Sequence, residues 1–230
     1  MRNLLIIGAS SGIGKAIATQ AIADGYHVIS ASRNAPDLSQ IEHHTVDITA
    51  DDIDWSFIPD ELHGLVYAPG TINLKPFHRF KLEEFQQDFD INVLGAVKAM
   101  QAAFKSLKAV DSASVVLFST VAAKLGMNFH ASIATAKAAV EGLARTAAAE
   151  WSQHNIRVNV LAPSLTDTPL AGRILSTDDK KEASNKRHPI GRYGQPEDLA
   201  NAAMYLLSEG SSWVSGQTIG VDGGMGALKP

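Results

Sequence analysis

Short apolar runs alternate along the chain with longer stretches in which apolar residues recur at helical spacing. The short runs predict seven strands, near residues 4–7, 26–31, 41–46, 62–68, 114–118, 156–161 and 217–221. The longer stretches predict helices, most clearly near residues 13–22, 82–107, 132–153 and 196–208. Strands that are apolar without interruption are typical of a sheet that is covered on both faces.

The alternation of strand and helix predicts the fold class. It requires right-handed crossover connections, which produce a parallel sheet. No proline-rich or serine-rich linker divides the chain, and its 230 residues suit one domain of this kind. We therefore expect residues 1–230 to form a single doubly wound α/β domain of the Rossmann type. Its parallel sheet should have about seven strands, with helices on both faces.

Composition excludes several classes of protein. The chain has no cysteine, which excludes a disulfide scaffold, a thiolate metal site and a cysteine nucleophile. A net charge of −4 argues against nucleic acid as a partner. No apolar run approaches the ~20 residues that span a bilayer, so we expect a cytoplasmic protein without a membrane partner. His43 and His44 are adjacent in a predicted strand and point to opposite faces, so we predict no metal site.

A glycine-rich segment follows the first predicted strand and opens the first predicted helix. It has the spacing G-x-x-x-G-x-G. Glycine permits a tight turn and removes the Cβ where a pyrophosphate approaches the backbone. The helix that follows directs free N–H groups and the positive end of its dipole toward the same place. The alternative is a glycine-rich turn without a ligand, but we predict a dinucleotide site formed by Gly8, Ser10, Ser11, Gly12, Ile13 and Gly14.

The end of the second predicted strand indicates which dinucleotide binds. A carboxylate about 20 residues after the glycines would bind the ribose 2′-hydroxyl of NAD. This chain carries Ser32 and Arg33 instead, and a guanidinium pairs well with a 2′-phosphate. We therefore expect NADP as the cofactor, with NAD as the alternative. Asp47 and Ile48, after the third strand, are predicted to face the adenine, although Asp47 could instead cap a helix.

Motifs spread over almost the whole chain resemble those of the short-chain dehydrogenase/reductase family. The glycine motif, Asn92 on a helix and the segment Pro163-Ser164-Leu165-Thr166-Asp167-Thr168 each match a family motif. The chain departs from the family at Ser164, where glycine is usual, and at Tyr67-Ala68-Pro69-Gly70, which keeps only the last residue of Asn-Asn-Ala-Gly. The resemblance implies an oxidoreductase that transfers a hydride between a nicotinamide cofactor and a small carbonyl or alcohol substrate.

The central motif of that family is Tyr-x-x-x-Lys on a helix, and only its lysine is present here. The resemblance implies that Lys137 holds the nicotinamide ribose, while Ile133 stands where the proton-donating tyrosine belongs. The family's serine falls on Thr120, with Ser119 beside it. Asn92 is implied to hold a water that relays protons to the lysine. Loss of a positioned general acid costs roughly 10²–10⁴ in rate, so the chain resembles a divergent member of the family.

Three groups are alternatives for the missing proton donor. His130 is the first choice, because it lies three residues before Ile133 and imidazole exchanges protons near neutral pH. The others are a water on Lys137 and Thr120, and Tyr67 at the end of the fourth strand. Reduction of an activated C=C bond is an alternative reaction. The alternative function is that of a catalytically weak NADP-binding regulatory or scaffold protein.

The remaining expectations concern loops and assembly. The resemblance implies that cofactor contacts are completed by Gly70, Pro163, Thr166 and Thr168, although Thr168 could instead cap a short helix. Residues 165–190 resemble the family's substrate lid, and their polar composition predicts a mobile surface segment. The alanine-rich helix from Ala134 to Ala149 has a face of small residues, and we expect a homodimer or homotetramer.

Overall fold

A seven-stranded sheet runs through the middle of the molecule, and all its strands are parallel. The structure, a computed structural model, describes residues 2–229. The strand order is β3-β2-β1-β4-β5-β6-β7. The strands are β1 Asn3–Ile7, β2 His27–Ser32, β3 Ile41–Thr45, β4 Gly64–Tyr67, β5 Ala113–Phe118, β6 Ile156–Pro163 and β7 Thr218–Val221. The predicted fold class is therefore confirmed.

Helices cover both faces of the sheet. They are α1 Gly12–Ala23, α2 Leu82–Phe89, α3 Gly95–Leu107, α4 Ala131–Trp151, α5 Asp178–Arg187 and α6 Pro196–Leu207. Side chains of β1 alternate between the faces, since Leu4 and Ile6 pack with α1 and α6, whereas Leu5 and Ile7 pack with α3 and α4. All four side chains are at most 2% exposed, as expected for a strand covered on both sides.

The long helix predicted over residues 82–107 is interrupted. Between α2 and α3 lies one turn of π-helix, Asp90–Leu94. Its cause is Asn92, whose side-chain Nδ2 donates to the backbone oxygen of Asp88 at 2.7 Å. That oxygen would otherwise accept from the backbone N–H of Asn92, so the side chain replaces one bond of the helical ladder. The prediction of one continuous helix was wrong at this turn.

The order of strands creates a crevice at one edge of the sheet. The chain crosses from β1 to β2 on one side and reaches β4 on the other, so the loops that follow β1 and β4 diverge. In doubly wound sheets ligands bind at this point, outside the carboxyl ends of the strands.

Two negative findings apply to residues 2–229. None of their helices is long and apolar enough to cross a membrane. Within the same range, no three histidine, aspartate or glutamate side chains are grouped closely enough to hold a metal ion.

Candidate functional site

Two adjoining cavities lie at the carboxyl ends of the strands. The first, which we call the cleft, has a volume of about 520 Å³ and runs from the glycine-rich turn after β1 past the ends of β2 and β3. The second, which we call the inner cavity, has a volume of about 240 Å³ and lies between α4, the loop after β6 and the end of α5. The two share a boundary at Ile13, residues 68–71, Thr168 and Leu170. A ligand in the cleft would therefore reach the inner cavity with one end.

The turn after β1 is built so that its backbone can be approached closely. Gly8 and Gly12 have φ values of +87° and +54°, which side chains rarely adopt. A Cβ on Gly14 would lie 2.2 Å from the backbone oxygen of Gly8, so only glycine lets α1 pack on the turn. Ser11 precedes α1 without capping it through its side chain, which leaves the N–H groups of the first turn for a ligand. These features fit a diphosphate.

The structure places most of the predicted cofactor contacts on the wall of the cleft. This group comprises Gly8, Ser10, Ser11, Gly12, Ile13, Gly14, Ser32, Arg33, Asp47, Ile48, Gly70 and Thr168. Lys137, Pro163 and Thr166 instead line the inner cavity, as do Gly70 and Thr168 from the shared boundary. Thr168 also accepts from the backbone N–H of Ala171 at 3.3 Å, so it caps a short 3-10 turn as well as lining both cavities.

Asp47 caps a turn rather than a helix. Its Oδ1 accepts from the backbone N–H of Thr49 at 2.9 Å and from Thr49 Oγ1 at 2.7 Å. These bonds hold the pKa of the carboxyl below its usual range. The helix that Asp47 was alternatively expected to cap does not form before β4. The carboxylate is therefore ionised at neutral pH and held by Thr49 on the wall of the cleft.

Lys137 and Asn92 face the shared boundary from two different elements. Lys137 lies on α4 and Asn92 in the π turn, and a Cβ on Gly70 would lie 3.7 Å from Lys137 Nζ and 3.6 Å from Asn92 Oδ1. Within residues 2–229, Asn92 Oδ1 is buried and has no hydrogen-bond partner. Burial lowers the pKa of Lys137 to about 8, a shift that the charge of Asp88 opposes. The Asn92 amide oxygen and the buried Lys137 amine are therefore both available to bind polar groups of a ligand beside Gly70.

Two hydroxyl groups from the end of β5 line the inner cavity, and only one of them is available. The Ser119 hydroxyl donates to Glu141 Oε1 at 2.8 Å, so its proton points into α4. Thr120 accepts weakly, at 3.3 Å, from the backbone N–H of Ala122 and keeps its own proton for a partner in the cavity. Of the two sequence-predicted alternatives, Thr120 is therefore the better hydrogen-bond donor to a ligand.

Ile133 is 5% exposed and lines the inner cavity one helical turn before Lys137. An alkyl side chain has no proton to give, so this wall of the cavity is chemically inert. His130 lines the same cavity at the N-terminal end of α4. Its Nδ1 lies 2.7 Å from the carbonyl oxygen of Asn128, which only accepts, so Nδ1 carries a proton. The other ring nitrogen, Nε2, is left for exchange with a ligand or water.

Tyr67 is not a candidate proton donor, and this expectation was wrong. The ring is 2% exposed, and its hydroxyl donates to the backbone oxygen of Ile91 at 2.5 Å. Burial raises the pKa of this phenol well above its ordinary value. A Cβ on Gly95 would lie 2.1 Å from the hydroxyl, so the residue packs tightly against α3. Its hydroxyl is held against α3, and the residue lines neither the cleft nor the inner cavity.

A buried carboxylate beside the site escaped the sequence reasoning. Asp88 on α2 is fully buried and accepts from Thr71 Oγ1 at 2.6 Å, Asn73 Nδ2 at 2.9 Å and Ser132 Oγ at 2.5 Å. Thr71, which lines both cavities, also accepts from Asn92 Nδ2 at 3.0 Å. This network joins α2, α4 and the loop after β4 behind Lys137. The sequence signal was one acidic residue on the inward face of a predicted helix.

Comparison with known proteins agrees with this geometry. The model of a protein family described as enoyl-(acyl carrier protein) reductase matches residues 8–226. The chain is 31% identical, over 99% of its length and 98% of the relative's, to 2,5-dichloro-2,5-cyclohexadiene-1,4-diol dehydrogenase of Sphingobium indicum. It is also 36% identical to a protein of Xanthobacter autotrophicus named inactive 2-(S)-hydroxypropyl-CoM dehydrogenase 2, over 73% of this chain and 74% of that one.

A solved structure shows the same fold with a nucleotide present. Gluconate 5-dehydrogenase from Burkholderia cenocepacia, in complex with NADP and tartrate, superposes with a TM-score of 0.92 at 26% identity. The match covers 99% of this chain and 96% of that one. The family match over residues 8–226 agrees with the parallel sheet, the glycine-rich turn and the lysine on α4. This chain therefore belongs to the short-chain dehydrogenase/reductase family.

Proposed function

We propose that this chain is an NADP(H)-dependent oxidoreductase with an atypical proton donor. Its substrate would be a small carbonyl or alcohol compound, or one with an activated C=C bond. One observation carries the proposal: the buried amine of Lys137 and the free Asn92 Oδ1 meet at Gly70, where the cleft joins the inner cavity. An enzyme of this family needs polar groups at this place to bind the ribose that is attached to the nicotinamide ring.

The cleft fits a dinucleotide that carries a 2′-phosphate. The glycine-rich turn and the start of α1 would hold the diphosphate. Arg33 is exposed at the end of β2 and lines the cleft, where its guanidinium would pair with the 2′-phosphate. The NADP bound to the related gluconate 5-dehydrogenase supports the same assignment. NAD, which has no phosphate at this position, would lose the contact with Arg33.

Each group around the inner cavity has a separate task. When bound, NADPH supplies a hydride to the carbonyl carbon of the substrate. The Lys137 amine binds the sugar hydroxyls, and Asn92 Oδ1 accepts from a water that connects Lys137 to solvent. The Thr120 hydroxyl donates a hydrogen bond to the substrate oxygen and stabilises the negative charge that develops on it. A proton must then reach that oxygen to complete the alcohol.

His130 is our first choice for the source of that proton. As an imidazolium it would give the Nε2 proton to the substrate oxygen, while Nδ1 keeps its bond to Asn128 and so fixes the ring. The second choice is a water held by Lys137 and Thr120. With an activated C=C substrate the charge develops on a remote oxygen, and the carbon proton would come from solvent.

The function is tested with purified protein, NADPH and a panel of ketones and enones, followed by loss of NADPH absorbance. We expect turnover with at least one class of substrate, and its loss in Lys137→Ala. Lys108→Ala, which changes an exposed lysine beyond α3, is the matched control and should behave as the unaltered protein. Turnover that is equal in the two variants would contradict the role of Lys137.

The proton source is tested separately with His130→Ala and with His78→Ala, which removes an exposed histidine that lines neither cavity. If His130 donates, only the first variant slows turnover, by about 10² or more. Equal rates in the two variants would assign the proton to water instead.

A second candidate function is that of a weakly catalytic NADP-binding regulatory or scaffold protein. Two observations favour it: the inert side chain of Ile133 in the cavity wall and the relative whose name calls it inactive. The two functions differ in one measurement. Tight NADPH binding without turnover on the whole panel would support the scaffold, whereas turnover that depends on Lys137 supports the enzyme.

We also propose that the protein assembles as a homodimer or homotetramer through α4. Small side chains such as Thr135, Ala138 and Ala149 are exposed on this helix and would let a second copy approach closely. Sedimentation equilibrium should give a mass of two or four times the 24.5 kDa of one chain. Ala138→Arg should lower it to that of one chain, and an unchanged mass would place the contact elsewhere.

A further inference from the structure

The inner cavity has an uneven distribution of charge. Most of its wall is apolar, formed by residues such as Phe118, Leu165 and Ile174. Its charged and titratable residues are Lys137, Arg187, His130 and His188, and among residues 2–229 no aspartate or glutamate lines it. An apolar wall keeps water out and strengthens electrostatic attraction, so the cavity favours a ligand with a negative charge.

Arg187 stands at the lid end of the cavity, at the end of α5. Its Nη2 donates to Ser184 Oγ at 2.9 Å, which orients the guanidinium and leaves most of its five N–H donors. In the part of the chain that the structure describes, no salt bridge joins Arg187 to a carboxylate. A planar group of donors without a paired anion suits the two oxygens of a carboxylate.

A hydrogen-bonded pair, Ser164 and His188, lies next to Arg187. His188 is 4% exposed, and its Nδ1 lies 2.7 Å from the carbonyl oxygen of Ser184. Because a carbonyl only accepts, Nδ1 carries a proton, and Nε2 faces Ser164 Oγ at 2.9 Å. The backbone oxygen of Ser184 and the Ser184 hydroxyl thus orient His188 and Arg187 from one turn of α5.

The Ser164 hydroxyl can adopt either of two hydrogen-bonding arrangements. It can donate to Nε2 of a neutral His188, or it can accept from Nε2 of the imidazolium and donate elsewhere. In the second state the acceptor within the chain is Met225 Sδ at 3.0 Å, and thioether sulfur is a weak acceptor. A carboxylate oxygen in the cavity is a stronger acceptor than this sulfur and would therefore accept the hydrogen bond from Ser164 in its place.

We propose that the substrate is a carbonyl compound with an apolar body and a carboxylate, and that Arg187 and Ser164, backed by His188, bind the carboxylate. This inference rests on the proposed function, since it names the substrate class of the same cavity. The apolar wall contacts the body of the substrate. The carbonyl to be reduced then lies toward Thr120 and Lys137, at the other end of the cavity.

The test compares an acid with the amide of the same shape, and it does not depend on turnover. Calorimetry measures the binding of 4-phenylbutanoate and 4-phenylbutanamide to the protein, with and without saturating NADPH. The acid should bind at least about tenfold more tightly than the amide. Arg187→Gln and Ser164→Ala should each remove most of that preference, whereas Arg173→Gln, an exposed lid arginine outside the cavity, should keep it.

Equal binding of acid and amide, absence of binding by both, or a preference that survives Arg187→Gln and Ser164→Ala would each overturn the inference. A parallel assay with 4-oxo-4-phenylbutanoate and its amide separates this failure from that of the proposed function. Reduction of both ketones at the same kcat/KM would leave the oxidoreductase standing without the carboxylate site. Absence of NADPH binding would remove the proposed function, while the acid–amide comparison on the nucleotide-free protein would still decide the anion site.

Discussion

Asn92 Oδ1 and Lys137 Nζ converge on the same side of Gly70, where a methyl group would lie within 3.7 Å of both. These distances are ordinary van der Waals contacts, so alanine fits at position 70 without displacing its neighbours. The methyl group would nevertheless occupy the polar gap between amide and amine. We expect Gly70→Ala to leave the free energy of unfolding unchanged within about 0.5 kcal/mol.

The same variant should lower NADPH affinity about tenfold, because the sugar must enter the gap that the methyl group fills. Calorimetry gives the affinity and urea denaturation gives the stability. If Gly70→Ala binds NADPH as tightly as the unaltered chain, the sugar does not lie between Asn92 and Lys137.

Gly14→Ala should disrupt the fold rather than only the site. Its Cβ would lie 2.2 Å from the Gly8 oxygen, and backbone on both sides cannot move without separating α1 from the sheet. We expect a loss of about 3 kcal/mol or more in urea denaturation. Gly126→Ala is the control, because within residues 2–229 nothing lies within 4 Å of its Cβ, and stability should change by less than about 0.5 kcal/mol. Similar losses in both variants would show that the close packing at Gly14 does not decide stability.

Lys137 should lower the stability of the protein at neutral pH. Burial reduces its pKa from 10.5 to about 8, so the folded state holds the proton less tightly than the unfolded state. The cost of this buried cation is complete below about pH 8 and disappears as the pH rises toward 10.5. The gap between the two values corresponds to about 3 kcal/mol.

Lys137→Met removes the cation and keeps an apolar chain of similar length. It should raise the free energy of unfolding by up to about 3 kcal/mol near pH 7, and the advantage should shrink near pH 10. Urea denaturation at the two pH values measures both effects. A variant that is less stable than the unaltered chain near pH 7, or a difference independent of pH, would contradict the assignment of a destabilising charge.

Ile133→Tyr should increase carbonyl reduction. The position lines the inner cavity one turn before Lys137, so a phenol there would stand beside the amine and could give its proton to the substrate oxygen. We expect kcat to rise at least about tenfold for a ketone that the chain already accepts. Ile133→Phe, with the ring but no hydroxyl, is the control. Equal rates for Tyr and Phe would show that this cavity positions the substrate oxygen elsewhere.

The sheet could be predicted because its central strands, such as β1 and β4, are short and largely apolar and lie between polar or glycine-containing loops. All seven runs became strands, and the glycine-rich turn lies where a parallel sheet puts it, at the start of α1. The alternation of side chains along β4 also indicates the direction of Tyr67. Leu65 and Tyr67 share the face that packs on α3 and α4, so the Tyr67 side chain could have been predicted to lie in the core.

Other features depend on contacts between residues far apart in the chain. Asp88 meets Thr71 and Ser132, which lie on two other segments, and no local pattern shows that three hydroxyl or amide donors converge on it. The pairing of Ser164 with His188 joins the loop after β6 to the residue that follows α5. The π turn at Asn92 arises from one side-chain bond, which periodicity does not reveal.

The choice of nucleotide depends on Arg33, the exposed guanidinium on the wall of the cleft. Its pairing with a 2′-phosphate should favour NADPH over NADH by about tenfold or more. Arg33→Ala should remove this preference and leave the weaker binding of NADH unchanged. If Arg33→Ala still prefers NADPH over NADH, another residue binds the 2′-phosphate.

Calorimetric titration of the unaltered protein with NADPH, NADP⁺, NADH and NAD⁺ tests the dinucleotide site most directly. We predict saturable binding of one nucleotide per chain, tightest for NADPH and NADP⁺, which carry the 2′-phosphate. The same titration of Gly70→Ala should show weaker binding. If none of the four nucleotides produces heat of binding with the folded protein, the cleft is not a dinucleotide site, and the oxidoreductase function proposed from it is wrong.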